Sequence, residues 1–201
     1  MSDIFKTITS TTNGIYKEKG SKFLSFVIPV STADEVKELV KNFRKEYYDA
    51  SHVCYAYMLG AERNEFRTND DGEPNGTAGR PILGQINSRE LTNVMVIVVR
   101  YFGGILLGTG GLTSAYKEAA ADALSQSEVV EITVAVNITI HFDYILMNDV
   151  MRIFKDSNAQ VLQQSFANQC SMQLSIPKQD ENQFVSKLNK IIGLIIEMKQ
   201  F

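Results

Sequence analysis

Three carboxylates, Asp70, Asp71 and Glu73, fall within four residues of one another in the run RTNDDGEPNGTAG, Arg67 to Gly79. Hard oxygens grouped this closely can hold Mg²⁺ while water fills its remaining positions, or one of them can act as a general base. The spacing is not that of an EF-hand loop, whose ligands alternate through a dozen residues. Asp and Asn also close turns by bonding their own backbone, so turn chemistry accounts for the same residues. Gly76, Thr77 and Gly79 add backbone freedom and a hydroxyl, which suit close approach to a ligand or another loop.

A second run, RYFGGILLGTGGLTSA from Arg100 to Ala115, carries five glycines between an apolar segment and an alanine-rich one. Tyr101, Gly103, Gly104, Gly108, Thr109, Gly110 and Gly111 belong to it. Amides at a helix N-terminus favour anions, and a glycine-rich approach lets a phosphate reach them. No Lys-Ser or Lys-Thr follows the last glycine, and the spacing differs from the dinucleotide fingerprint. Tight packing of the turn against the acidic run explains the glycines equally well. His52 stands at the start of a strand-like run and belongs to the rim of any pocket there. Cys54 shares its face, but side chains two apart on a strand run parallel, so Cys54 is read as structural. His141 carries no motif.

These residues need elements to position them. Ser21 to Val30 and His52 to Leu59 are strand-like, and Asn93 to Arg100 is an apolar run without alternation, which marks a strand covered on both faces. Gly14 and Gly20 punctuate a hairpin-like segment before them. Ser31-Thr32 offers an N-cap to a helix through Tyr47, with Val36, Leu39, Val40 and Phe43 at helical spacing. Gly60 to Gly79 reads as one long, ordered, functional loop, followed by a short helix within Pro81 to Leu91. Leu112 to Gln126 reads as a helix.

The pattern resets near Val129. Val129 to His141 reads as one long alternating strand, with Val130, Ile132, Val134, Val136, Ile138 and Ile140 on one face. Tyr144 to Phe154 reads as a helix, Ala159 to Phe166 and Ser171 to Ile176 as strands with a turn at Asn168, Phe184 to Ile191 as a helix, and Leu194 to Met198 as a strand. That βαββαβ order is the ferredoxin-like motif. The fold class is therefore α+β, with domains 1–128 and 129–201.

The chain has 201 residues and a net charge of −3; residues 1–128 carry 14 basic and 16 acidic side chains, and residues 129–201 carry 6 and 7. Neither half is a basic arm, which weighs against binding led by phosphate contacts. The basic cluster Lys17, Lys19 and Lys22 reads as a solvated hairpin. No apolar run reaches eighteen residues and the N-terminus lacks a secretory pattern. Two cysteines are too few for a disulfide framework or a four-ligand zinc site and suit a reducing cytosol. The expectation is a cytoplasmic protein without membrane or DNA partners.

The runs DDGEPNGTAGRPIL and VVRYFGGILLGTGGLTSAY, with SKF at 21–23 and HVCYA at 52–56, resemble the IMPACT/YigZ family across essentially the whole chain. The resemblance implies a first domain like domain 2 of a small-subunit ribosomal protein and domain IV of elongation factor G. It implies a ferredoxin-like second domain similar to elongation factor G domain V. It also implies kinship with eukaryotic translation regulators that act by binding a protein partner. The family commonly has Arg where this chain has Ser114.

Two functional classes stay open. One is a binding module near the translation apparatus, engaging RNA, the ribosome or a protein, with no cofactor. The other is a metal-assisted hydrolase or phosphoryl-handling enzyme in which Asp70, Asp71 and Glu73 manage a metal or proton. Both require the two glycine-punctuated runs to meet in space. Their candidate residues are His52, Arg67, Asp70, Asp71, Glu73, Gly76, Thr77, Arg100, Tyr101, Gly103, Gly104, Gly108, Thr109, Gly110 and Gly111.

Overall fold

The computed structural model describes residues 4–166 and 169–198. It holds five α-helices and three β-sheets, in two compact units that divide between Ile132 and Thr133.

The first unit runs β1 (Ile4–Ile8), β2 (Thr12–Glu18), β3 (Ser21–Pro29), α1 (Ala33–Glu46), β4 (His52–Leu59), β5 (Glu65–Asn69), α2 (Gly79–Ser88), β6 (Val94–Tyr101), α3 (Gly108–Ser125) and β7 (Val129–Thr133). Five strands form an antiparallel sheet in the order β2-β3-β6-β4-β5. The central strands β4 and β6 are buried along nearly their whole length. One face is covered by α1, whose Val36 and Val40 pack with Tyr55, Tyr57, Met95 and Ile97. The other face is covered by α2 and α3, through Ile82, Ile86, Leu112, Tyr116 and a row of alanines. This is why β6 reads as unbroken hydrophobicity: neither face meets water. Thr32 caps α1 by accepting from the Glu35 amide at 3.2 Å, as its side chain suits.

Several elements differ from the pattern-based reading. The expected loop from Gly60 to Gly79 contains β5, an edge strand paired with β4. Its Glu65, Phe66 and Arg67 are exposed, so backbone pairing creates the strand without leaving an apolar signature. Helix α3 opens at Gly108, four residues before the first apolar position expected to start it; glycine is a poor helix former, and the register is set by packing further along. The long strand expected from Val129 to His141 is two strands in different sheets. β7 pairs with β1, whereas β8 (Ala135–Phe142) joins the second unit's sheet. A period of two continues across the break and cannot reveal it. Burial does: Ile132 is 42% exposed while Ile138 and Ile140 are buried.

The second unit continues with a short 3-10 turn at Tyr144–Leu146, then α4 (Met147–Lys155), β9 (Gln160–Phe166), β10 (Cys170–Pro177), α5 (Lys178–Leu188) and β11 (Ile195–Met198). Its antiparallel sheet has the order β11-β8-β10-β9. Helices α4 and α5 contribute Val150, Phe184 and Leu188 to one core with Ile138, Ile140, Phe142, Met172 and Leu174. α5 begins six residues before the expected start, in the polar run KQDENQ, where Asp180 and Glu181 complement its N-terminus. The turn expected at Asn168 lies outside the described residues.

Candidate functional site

The register of the first sheet places Phe23, Arg100 and His52 side by side across β3, β6 and β4. They stand on the face covered by α2 and α3, at the end where β6 leaves the sheet. The segment 70–79 folds over this row. Glu73 enters it almost completely buried: its side chain is 3% exposed and that of Arg100 is 6% exposed. Glu73 Oε1 accepts from Arg100 Nη1 at 2.6 Å and from the Tyr116 hydroxyl at 2.7 Å. The guanidinium also lies over the Phe23 and Phe102 rings, at 5.5 and 5.7 Å, and Nη2 reaches Ser21 Oγ at 3.4 Å. Two charges this far from water hold only as a pair, because losing either partner strands the other.

The three carboxylates of the acidic run do not converge. Asp70 turns inward and serves as the cap of α2. Its Oδ1 accepts from the Ala78 and Gly79 amides at 3.0 and 2.8 Å, and its Oδ2 from the Gly76 amide at 2.9 Å. Burial alone would push the Asp70 carboxyl up. The amides of Gly76, Gly79 and Ala78 outweigh it, with help from the Arg80 charge, and hold the group below the usual range. Asp71, at φ 43°, pins the run to neighbouring elements: its carboxylate accepts from the Val53 amide at 2.7 Å and from Arg44 of α1. Its carbonyl takes the Nδ1 proton of His52 at 2.8 Å. That bond leaves Nε2 as the outer nitrogen of His52, 3.8 Å from Glu73 Oε1. Among the described residues no three His, Cys, Asp or Glu side chains group to hold a metal ion.

Cys54 is held structurally. Its Sγ bonds the Asp70 carbonyl at 3.0 Å and the Tyr116 hydroxyl at 3.4 Å, and burial pushes the thiol up. The same burial pushes the Tyr116 phenol up. Both stay protonated and donate into the network, so neither is an activated nucleophile.

Between the two glycine-punctuated runs lies a cleft of about 430 Å³. His52, Glu73 and Pro74 line it from one side. Phe102, Leu106, Leu107, Gly108, Thr109 and Leu112 line it from the other, with Arg100 also in its lining. Phe102 and Leu106 are also strongly exposed, at 49% and 84%, and Ile105 between them is 55% exposed. The cleft is apolar along the β6–α3 connection and polar at the Glu73–Arg100 pair.

The expected site residues therefore divide. Glu73, His52, Arg100, Gly108 and Thr109 share the cleft. Arg67 and Tyr101 do not. Arg67 is exposed opposite Tyr57 on the α1 side of the sheet, and Tyr101 packs on that side and donates to Asp49 at 3.1 Å; strand alternation puts both on the wrong face. Gly103 answers a packing need. A Cβ there would lie 1.8 Å from the Gly20 carbonyl carbon, so two backbones cross where no side chain fits. Gly76 adopts φ 78° and Gly104 φ 85°, and Thr77 Oγ1 bonds the Pro74 carbonyl at 2.7 Å; these residues shape turns. Gly110 and Gly111 lie in the first turn of α3, and Ser114 is exposed on that helix. Sequence reasoning missed Tyr116, which lies within the expected helix from Leu112 to Gln126 with no chemical motif of its own, and Arg44, which sits on a polar helix face 27 residues from its partner Asp71. It also missed the apolar wall of Phe102, Leu106, Leu107 and Leu112.

Comparison with known proteins came to the same motifs. Residues 19–124 match the family described as the Impact N-terminal domain. The chain is 31% identical over 180 residues to IMPACT family member YvyE of Bacillus subtilis, spanning 90% of this chain and 83% of that protein. It is 30% identical over 172 residues to IMPACT family member YigZ of Escherichia coli, spanning 85% and 84%. A solved crystal structure, described as that of a hypothetical protein, aligns with a TM-score of 0.72 at 26% identity, over 100% of this chain and 99% of its own.

Proposed function

The chain belongs to the IMPACT family, and on that premise we propose that it is a non-enzymatic binding module of the translation apparatus that grips a protein surface, on or near the ribosome, through the cleft of its first unit. The observation carrying this reading is the apolar lip of the cleft. Phe102, Ile105 and Leu106 stand 49%, 55% and 84% exposed on one short connection, and exposed apolar clusters of this kind mark interaction sites. The net charge of −3 favours a protein partner over RNA held by its phosphates. The hydrolase reading needs carboxylates free to act. Here Asp70, Asp71 and Glu73 are each committed to amides, an arginine or a buried hydroxyl.

The same proposal takes the first unit as an elongation factor G domain IV-like layer of sheet and helices. It takes the second as ferredoxin-like and similar to domain V of that factor, supported by the β8-α4-β9-β10-α5-β11 order and the β11-β8-β10-β9 sheet. No helix among the described residues is long and apolar enough to cross a membrane, and the buried thiols Cys54 and Cys170 suit the cytoplasm proposed for it.

Co-sedimentation with ribosomes at low salt tests the function. The parent protein should be retained above an unrelated acidic protein, and Leu106→Asp should lose that retention while keeping its fold. Retention no greater than that of the control protein rejects the reading.

A further inference from the structure

Resting on that reading of the cleft as the protein-binding site, we propose that it takes a tyrosine side chain of the partner: His52 Nε2 accepts the phenol proton, and the ring lies against the apolar wall. The Asp71 carbonyl, 2.8 Å from His52 Nδ1, fixes the tautomer. A carbonyl only accepts, so Nδ1 carries a proton, and the neutral ring keeps its lone pair on Nε2. That carbonyl is itself held in place, because the Asp71 carboxylate is tied to the Val53 amide and to Arg44. No donor among the described residues reaches Nε2. Glu73 Oε1, 3.8 Å away, is another acceptor. A partly exposed imidazole is thus oriented from behind, with its accepting nitrogen left over, in the lining of the cleft.

Charge selects the donor. The charged and titratable groups lining the cleft are Arg100, Glu73 and His52, and the first two are already paired with each other. A cation entering here would lie near the Arg100 guanidinium. An anion would meet the Glu73 carboxylate and the Nε2 lone pair. Either would be desolvated without a matching partner, whereas a neutral hydroxyl needs only one acceptor. Shape selects the body that carries it. The wall is Pro74, Phe102, Leu106, Leu107 and Leu112, and the cleft of about 430 Å³ lies within the size range of clefts that enclose small groups. Tyrosine combines a large apolar ring with a single donor at its tip, and its hydroxyl usually finds a partner when buried. It is also among the residues that carry most of the energy at protein interfaces.

The test titrates the protein with N-acetyl-tyrosinamide, N-acetyl-phenylalaninamide, N-acetyl-lysinamide and p-cresol. NMR follows the His52 Nε2 nitrogen shift and the methyl signals of Leu106, Leu107 and Leu112. The tyrosine probe should move all of them and saturate in the millimolar range. The phenylalanine probe should bind about three- to tenfold more weakly and leave the Nε2 shift in place, and the lysine probe should bind more weakly still. His52→Asn keeps an amide N–H where Nδ1 stood and has no acceptor where Nε2 stood. It should bring the tyrosine probe down to the affinity of the phenylalanine probe without changing the latter. His52→Gln, whose amide oxygen can reach the Nε2 position, should keep part of the preference. Should His52→Asn fail to fold, the comparison of probes on the parent protein still decides. Equal binding of the tyrosine and phenylalanine probes, a preference that survives in His52→Asn, tighter binding of the lysine probe, or no shift up to about 20 mM each overturn the inference. Binding of p-cresol with exclusion of the tyrosine probe also overturns it, because the ligand would then be a free phenol. Failed ribosome retention with the tyrosine preference intact sinks only the translation role. Retention that is lost in Leu106→Asp, without any tyrosine preference, sinks only the present inference.

Discussion

Helices α2 and α3 cover the same face of the same sheet, and their N-termini are finished in opposite ways. At α2 the amides of Ala78 and Gly79 end on the carboxylate of Asp70, which also takes the Gly76 amide. At α3 a glycine-rich turn leads in with no acidic residue and, among the described residues, no capping side chain, and the turn borders the cleft. The same electrostatic device, a ring of amides with partial positive charge, is closed from within at one helix and open at the other. Glu73 sits between them and is spent on Arg100 and Tyr116. A carboxylate in a glycine-rich run thus marks a ligand site only when no amide of its own chain has claimed it.

The largest expected effect removes the floor both termini share. Glu73→Ala leaves Arg100 buried without its partner and should cost about 3–5 kcal/mol, read as a fall in the urea midpoint. Opening the closed terminus comes next. Asp70→Asn should cost about 1–3 kcal/mol and raise hydrogen exchange at Gly76, Ala78 and Gly79. The pH dependence has a definite sign. The folded-state pKa of Asp70 lies below its ordinary 3.8, so its contribution is present above that value and fades as pH falls through the lower, folded one. The stability gap between parent and Asp70→Asn should be constant near neutrality and close below pH 3.8; a gap that persists in stronger acid would mean the charge is not what caps α2. Closing the open terminus should act in reverse: Gly110→Asp should stabilise by about 0.3–1 kcal/mol, seen as a higher melting temperature. Leu106→Asp, at 84% exposure, should change stability by no more than about 0.5 kcal/mol in either direction, which separates the lip of the cleft from its floor.

Much of this architecture is legible in the chain before it folds. The apolar run of β6, the capped stripe of α1 and the short helix after Gly79 follow from spacing and capping chemistry that act over a few residues. β5 was hidden because its strand state comes from pairing with β4 and not from burial. The division after Ile132 was hidden because two strands in different sheets can share one alternation. In the site, Asp70 and Asp71 look like ligand residues from their type and spacing, yet Val53, Arg44 and the amides of Gly76, Ala78 and Gly79 claim them first. Arg67 and Tyr101 adjoin the motifs but point to the α1 side.

The sequence by itself determined the family, the mixed α/β character and the two glycine-punctuated runs, because these rest on local periodicity, turn chemistry and residue identity. Only the tertiary structure decided which polar groups were consumed and which were left to face the cleft. Hydrogen bonds and ion pairs between residues 27 to 43 positions apart, as Glu73 makes with Arg100 and Tyr116, depend on strand register and helix placement. No local pattern of residues encodes either.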